Sequence, residues 1–337
     1  KRVEMKIAFT SCADPIDDQE QIVWNAVFEK EPDYLILLGD NIYMDYGAGD
    51  NPRNGAPMDF SEDEFALALY TRYRKQSEIP LFKALTQSVQ GVFTIWDDHD
   101  FAWNNSHGAW NDAHGTDNKK GFVSLNKKKI SKALHLQFRK WLNSSQEGNY
   151  PEQHSMEEML SVTDPDLGIE YVEDDIPGLR LIMTDGRYYR EQEDKKKSTQ
   201  IFGDNQRNWL KSQMNNDGKV NILCTGVTLD KGGEHWDNYS DYKWIKNNVD
   251  LSRTVVLSGE IHKNRIKRHA DLNELLEATS SGAARPPKFS LFDVVVLGAK
   301  GNFGILNFDD GIVDIKLFET TFFGNVKLEV EDSVDFS

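Results

Sequence analysis

Short apolar runs alternate with amphipathic segments along the first two-thirds of the chain. Apolar runs bounded by polar residues predict buried strands, and apolar positions three and four residues apart predict helices. A capping box formed by Ser61 and Glu64 marks the start of the second helix. The predicted strands cover 5–12, 33–40, 91–98, 179–186, 220–226 and 254–260, and the predicted helices cover 19–30, 61–75, about 117–142 and 204–214.

The last 50 or so residues have a different pattern, which predicts an antiparallel end to the chain. The segments FDVVVLG, GILNFD, IVDIKLF and NVKLEV are predicted strands, and turn pairs such as Asp310-Gly311 connect them. No repeat or low-complexity linker divides the sequence. We therefore predict one α/β (α+β) domain over residues 1–337, with helices covering its sheets.

Five predicted strands end in side chains that can bind metals or anions. Ligands of α/β proteins bind at the carboxyl ends of the strands, so we expect these side chains to share one site. Thiolate, phenolate, carboxylate and imidazole groups together form a mixed hard and soft set of metal ligands. The side chains at the five strand ends are Cys12; Asp40 and Tyr43; Asp97, Asp98, His99 and Asp100; Asp185 and Arg187; and Glu260 and His262.

The run from Asp97 to Asp100 follows an apolar strand directly. Neighbouring carboxylates repel one another, and their burial without a counter-charge is costly or raises their pKa. The run therefore predicts a site for two or more cations, which Asp40 and Asp98 could bridge. Cations about 3.5–4 Å apart stabilise the attacking and leaving oxygens of phosphoryl transfer.

Composition and missing motifs exclude several classes of protein. The net charge of −16 and the pI near 5.0 argue against nucleic acid as a partner. Two cysteines are too few for a disulfide framework, and no apolar run reaches the ~20 residues of a transmembrane helix. The sequence has no CxxC, HExxH, GxxxxGK[ST] or GxSxG motif. The opening Lys predicts removal of a leader and export to the periplasm or outside the cell, with a cytoplasmic location left open.

Seven segments occur in the order and approximate spacing of alkaline phosphatase D, the PhoD-like metallophosphatases. The sequence resembles this family over about residues 5–283. The resemblance implies a four-layer α/β/β/α sandwich of two mixed sheets, with the site at one end. It also implies hydrolysis of phosphate monoesters or diesters by a metal-activated hydroxide. The seven segments are FTSCA, LLGDNIY, WDDHD, MTDGRYYR, FGDNQRNWL, LSGEIHKNR and EATSSG.

The resemblance also implies a ferric ion and Ca²⁺, with Zn²⁺, Mn²⁺ or Mg²⁺ as alternatives. Cys12 and Tyr43 would bind the iron as thiolate and tyrosinate, and Asp40 would bridge the cations. His99 would protonate the leaving group, and Arg187 would bind the phosphate, which suits its fork of donors. Asn104 lies near an Asn of the family that follows the WDDH segment and is expected to bind substrate. The further expected metal ligands are Asp97, Asp98, Glu260 and His262.

Departures from the family pattern leave the metal set and substrate open. Glu260 stands where the family usually has Asp, and Asp100 replaces the usual Glu after WDDH. The alternative functions are a phospholipase D-like or nucleotide phosphodiesterase on the same site, and a non-catalytic cation-binding protein. The small phosphoester is the only partner that the sequence predicts, and the oligomeric state is left open. The Gly232-Gly233-Glu234-His235 segment is expected to form a solvated loop.

Overall fold

The fold was described from a computed structural model of the chain. The structure describes residues 4–45, 57–109, 121–144, 149–161, 167–214, 217–284, 299–321 and 324–337.

The first sheet has six strands in the order β12-β11-β10-β1-β2-β3. Strands β1, β2 and β3 are parallel, and β10 to β12 form an antiparallel meander that joins the sheet through β1. Asp310 and Gly311 both have positive φ in the turn between β10 and β11, as the sequence predicted. The strands are β1 (Met5–Thr10), β2 (Tyr34–Leu38), β3 (Gly91–Ile95), β10 (Ala299–Asp309), β11 (Ile312–Thr321) and β12 (Val326–Asp335).

The second sheet has six strands in the order β4-β5-β6-β7-β9-β8. Its four inner strands are parallel, and the antiparallel strands β4 and β8 form its two edges. The strands are β4 (Tyr171–Glu173), β5 (Leu179–Met183), β6 (Val220–Thr225), β7 (Thr254–Ser258), β8 (Arg265–His269) and β9 (Leu275–Thr279).

Two hydrophobic clusters define the layers of the fold. The larger cluster joins the first sheet, the inner face of the second sheet and helices α1, α2, α3 and α5. The smaller cluster joins the outer face of the second sheet to α7 and α8. The predicted α/β/β/α sandwich of two mixed sheets is thereby confirmed. The helices are α1 (Val23–Phe28), α2 (Glu62–Glu78), α3 (Pro80–Ser88), α4 (Asp98–Phe101), α5 (Leu125–Leu142), α6 (Met156–Leu160), α7 (Gly203–Gln213) and α8 (Ser240–Asn248).

Helix α1 is shorter than the sequence predicted, because Gln21 has a φ of 45° and interrupts helical backbone. The side chain of Gln21 instead exchanges hydrogen bonds with Gln76. Helix α2 begins at the predicted capping box of Ser61 and Glu64. The predicted strand 292–298 and the first part of the predicted helix 117–142 lie outside the described residues.

Among the described residues, no helix combines the length and the apolar character that crossing a bilayer requires. The division of the chain into a single domain stays a prediction.

Candidate metal and phosphate site

The polar ends of strands from both sheets meet at one end of the sandwich. The backbone leaves several of these strands through residues with positive φ, which turn their side chains abruptly out of the strand direction. The N–H of Cys12 donates to the carbonyl of Gly39 at 3.2 Å, so the ends of β1 and β2 lie side by side. The residues with positive φ are Cys12, Gly39, Asp40, Glu260 and His262.

Asp40 lies at the centre of a first group of possible metal ligands. Its Oδ2 is 3.5 Å from Sγ of Cys12 and accepts the hydroxyl of Tyr43 at 3.0 Å. Nε2 of His262 is 3.1 Å from the same hydroxyl. The ligand atoms of Cys12, Asp40 and His262 lie within 4.8 Å of one another. Sulfur, phenol, carboxylate and imidazole from three different strand ends therefore converge on one point.

A second group of possible metal ligands shares Asp40 with the first. The ligand atoms of Asp40, Asp98 and His99 also lie within 4.8 Å of one another. The backbone N–H of His99 donates to Oδ1 of Asp40 at 3.3 Å, while Oδ2 of Asp40 faces Cys12. The two oxygens of Asp40 thus face different ligand groups, which is the geometry that a carboxylate between two cations requires.

Asp97 lies against Arg187 rather than within either group. Its Oδ1 accepts Nε of Arg187 at 2.6 Å, and both side chains are fully buried. Its Oδ2 is also buried and has no hydrogen-bond partner among the described residues. Nη1 of Arg187 donates to Oε2 of Glu234 at 2.6 Å, and Nη2 lies 3.9 Å from Asp98. Arg187 therefore lies between the carboxylates of the DDHD run and Glu234.

The carboxylates of the DDHD run point in different directions, which relieves their mutual repulsion. Oδ1 of Asp98 accepts the N–H of His99 at 3.0 Å, and its Oδ2 accepts that of Asn105 at 2.6 Å. Asp100 accepts the backbone N–H groups of Asp97 and Ile42 at 3.0 and 3.1 Å. Asp97 and Asp100 also form the capping box of α4. Asp100 is therefore a structural residue of this turn.

Burial raises the pKa of several acidic groups in the site. Burial, with the Cys12 thiolate as the next cause, raises the pKa of Asp40 well above its usual range. Burial raises the pKa of the Cys12 thiol and, together with Asp97 and Glu234, that of Glu260. Burial also raises the pKa of Asp97, although Arg187 opposes that change. The protein alone thus provides too little positive charge for these groups to ionise together.

The pKa values of Asp98 and His99 are shifted in opposite directions. Although burial opposes the change, His99 and Arg187 lower the pKa of Asp98 to about 2. Burial also opposes protonation of His99, yet Asp98, Asp40 and Asp45 raise its pKa to about 10. The Asp98 carboxylate and the His99 imidazolium therefore stabilise each other in this arrangement.

The donor set fits metal cations on structural grounds. Oδ2 of Asp97 and Oε2 of Glu260 are buried acceptors without a partner among the described residues, and such groups call for an ion or another ligand. A cation would also favour the charged forms of the acidic groups whose pKa values burial raises. The Asp40-centred groups contain both a soft thiolate and hard oxygen ligands. The described site can therefore hold metal ions.

Asn104 lies apart from the ligand atoms and is exposed at the rim. Its backbone N–H donates to Asp45 at 2.9 Å, and the residue lines a cavity of about 590 Å³ together with Arg190 and Glu234. A second cavity, of about 390 Å³, contains Glu260 and His262. Two cavities therefore open beside the ligand groups.

Sequence reasoning missed three residues that contact the predicted ones. Asp45 contacts Nδ1 of His99, Glu234 contacts Arg187, and Ser281 lies 3.1 Å from Sγ of Cys12. Ser281 belongs to the EATSSG segment, so the resemblance to the family already pointed to the part of the chain that contains it. Asp45 comes shortly after LLGDNIY, and the predicted loop at Gly232 to His235 contains Glu234 but was expected to be solvated.

Residues 7–155 match the PhoD-like phosphatase family. This match confirms the resemblance over those residues and confirms the expected enzyme class, a phosphoester hydrolase. No curated protein matches the sequence.

Solved phosphatase structures are similar to this chain in fold. A structure of PhoD has a TM-score of 0.70 at 14% identity, covering 99% of this chain and 70% of the other. Purple acid phosphatase PPD1 from yellow lupin (Lupinus luteus) seeds has a TM-score of 0.51 at 10% identity, covering 99% of this chain and 54% of the other. At these identities, the likeness supports the sandwich architecture.

Proposed function

From the match of residues 7–155 to the PhoD-like phosphatases, we propose that this chain hydrolyses small phosphoesters at the end of the sandwich with the help of two or more metal ions. The observation that carries the proposal is the position of Asp40, which belongs to two ligand groups at once. A buried arginine, Arg187, lies beside them.

In this proposal, Cys12, Tyr43, Asp40 and His262 would hold one cation, and Asp40 and Asp98 would hold another. Asp97 and Glu260 each contribute a buried oxygen that has no partner among the described residues. When bound, the cations lower the pKa of water and neutralise negative charge on the phosphoryl oxygens. The resemblance to the PhoD-like family implies ferric iron in the first position and Ca²⁺ in the second, and hard carboxylate oxygens are ligands that Ca²⁺ accepts.

The chain's own residues position the ester and supply a proton. Arg187 carries a buried Nη2 donor for a phosphoryl oxygen. The protonated ring of His99, held by Asp45, donates a proton to the departing alcohol oxygen. Nε2 of His99 and Nη2 of Arg187 each lie 3.9 Å from the same oxygen, Oδ1 of Asp98. The ester bond would therefore break close to Asp98.

Turnover and metal content of the purified, chelator-free protein test this proposal together. A phosphomonoester, a phosphodiester and a phospholipid are compared at equal concentration, and metals are measured by elemental analysis. Hydrolysis of any of them with bound metal supports the proposal, and the preferred ester selects among the phosphatase and phosphodiesterase alternatives. Bound metal without hydrolysis of any ester would contradict it and favour a cation-binding protein.

A further inference from the structure

Glu234 lies between two buried arginines at the edge of the site. Its Oε2 is 2.6 Å from Nη1 of Arg187, and its Oε1 is 3.4 Å from Nη2 of Arg190. Arg187 and Arg190 have 0% and 1% of their side-chain surface exposed, whereas Glu234 keeps 13%. One carboxylate thus lies against two guanidinium groups, and the other ion pairs that the described residues form with these arginines, from Asp97 at 2.6 Å and Asp98 at 3.9 Å, are both on Arg187.

The two arginines keep donors that Glu234 does not use. Nη2 of Arg187 and Nη1 of Arg190 are buried and find no acceptor among the described residues. The Nε donors are already engaged, by Asp97 on Arg187 and by the hydroxyl of Tyr239 on Arg190 at 2.9 Å. A phosphoryl group offers three acceptor oxygens where a carboxylate offers two, so it can satisfy more of these donors.

We propose that Glu234 occupies the place of a phosphoryl group of the substrate, and that the substrate replaces it between Arg187 and Arg190. Arg190 is then a second anion-binding arginine. This inference rests on the proposed function, which supplies the phosphoester as the ligand.

The backbone around Glu234 allows this replacement. Gly232 has a φ of 96°, and a Cβ placed on Gly233 would meet no atom of the described residues within 4 Å. Residues 231–233 are exposed. The cavity of about 590 Å³ is lined by Arg190, Gly233 and Glu234, so it offers room for the displaced carboxylate.

The exchange favours a dianionic phosphoryl group. A dianion that replaces one carboxylate adds a negative charge between the two guanidinium groups, whereas a monoanionic diester leaves that charge unchanged. Phosphomonoesters and terminal phosphates should therefore bind more tightly than diesters, and Arg190 should contribute most of the difference.

Calorimetric titration of inorganic phosphate into the metal-loaded protein tests the inference. We expect E234Q to lower the phosphate Kd at least about fivefold, because the competing charge is lost. D237N is the matched control, since it removes the same charge three residues along the chain from a surface pair with Lys197. It should leave the Kd within about twofold of the wild-type value. R190K should raise the Kd, and more strongly for a monoester inhibitor than for a diester.

An unchanged or higher Kd for E234Q would overturn the inference. If Glu234 only held the two arginines in position, its loss would weaken phosphate binding. The KM for a monoester provides a second readout and should fall with the Kd in E234Q. Thermal unfolding identifies any variant that fails to fold, and E234A then repeats the titration. Wild-type turnover tests the proposed function separately: hydrolysis by the wild type without tighter binding by E234Q rejects only the role of Glu234.

Discussion

Nδ1 of His99 lies 2.6 Å from Oδ1 of Asp45, and only 8% of each side chain is exposed. The second oxygen of Asp45 accepts the backbone N–H of Asn104 at 2.9 Å. Asp45 therefore connects the segment after β2 to the segment after α4. A carboxylate on one ring nitrogen fixes the orientation of the imidazole and leaves the other nitrogen, Nε2, directed toward Asp98.

Replacing Asp45 with Asn should lower kcat about 10–100-fold, since the His99 ring loses its charged partner while Arg187 still binds the phosphate. KM should change little. Steady-state kinetics with a phosphomonoester measure both constants, and elemental analysis of the same samples separates this effect from metal loss. Asp63→Asn, on the exposed start of α2, is the control. Equal kcat values for the two variants would argue against His99 as the acid.

Replacing Asp40 with Asn should remove most bound metal and reduce turnover by more than the about 10–100-fold that is typical of outer-shell partners. An amide cannot supply a negatively charged oxygen to each of two cations. Asp310→Asn is a conformational control, because Asp310 has the same φ of 50° and lies in the surface turn before β11. Metal content and turnover that survive Asp40→Asn would contradict the assignment of this residue as a bridge.

The inner parallel strands β1, β2, β5, β6 and β7 could be predicted from the sequence because parallel strands buried on both faces give continuous apolar runs. The inner strand β9, LLEAT, was not predicted, because Glu277 interrupts its apolar run. The edge strand β8 gives no such run: its sequence is RIKRH, and four of its five residues are only partly buried or exposed. Its side chains contact residues that are distant in the sequence: His269 lies 2.9 Å from Glu277 of β9, and Arg265 and Lys267 contact Asp230. A pattern of apolar positions does not contain that information.

The ligand types of the site could also be predicted, since they follow the strands directly. The residues that pair with these ligands could not be predicted. Arg187 pairs with Asp97, 90 positions away, and with Glu234, 47 positions away. These pairs form because the two sheets pack face to face and bring separate loops together. Spacing along the chain gives no measure of that packing, so Asp45 and Glu234 emerged only from the structure.

The wild-type protein should absorb visible light if ferric iron binds the Tyr43 oxygen, and Tyr43→Phe should remove the band. The hydroxyl of Tyr43 lies 3.0 Å from Asp40 and 3.1 Å from His262, so its loss changes the centre of the first ligand group. Tyr70→Phe removes a hydroxyl that contacts Pro151 at the surface and should keep the colour. A colourless wild type with two divalent metals would reject iron while preserving the proposed hydrolysis.

The Asp97–Arg187 pair can be tested without altering either residue. A Cβ on Gly226 would lie 2.8 Å from Oδ1 of Asp97, the oxygen that holds Nε of Arg187, and real Cβ contacts are essentially never shorter than 3.0 Å. Gly226→Ala must therefore displace Asp97, and neither this glycine nor Gly186 has a positive φ.

We expect Gly226→Ala to raise KM for a phosphomonoester at least about fivefold, as the displaced carboxylate no longer orients the guanidinium group. Gly186→Ala adds the same methyl group one residue before Arg187, where the described part of the chain places no atom within 4 Å, and should leave KM within about twofold. Steady-state kinetics of the two variants make the comparison. Equal KM values would mean that Arg187 binds phosphate without the help of Asp97.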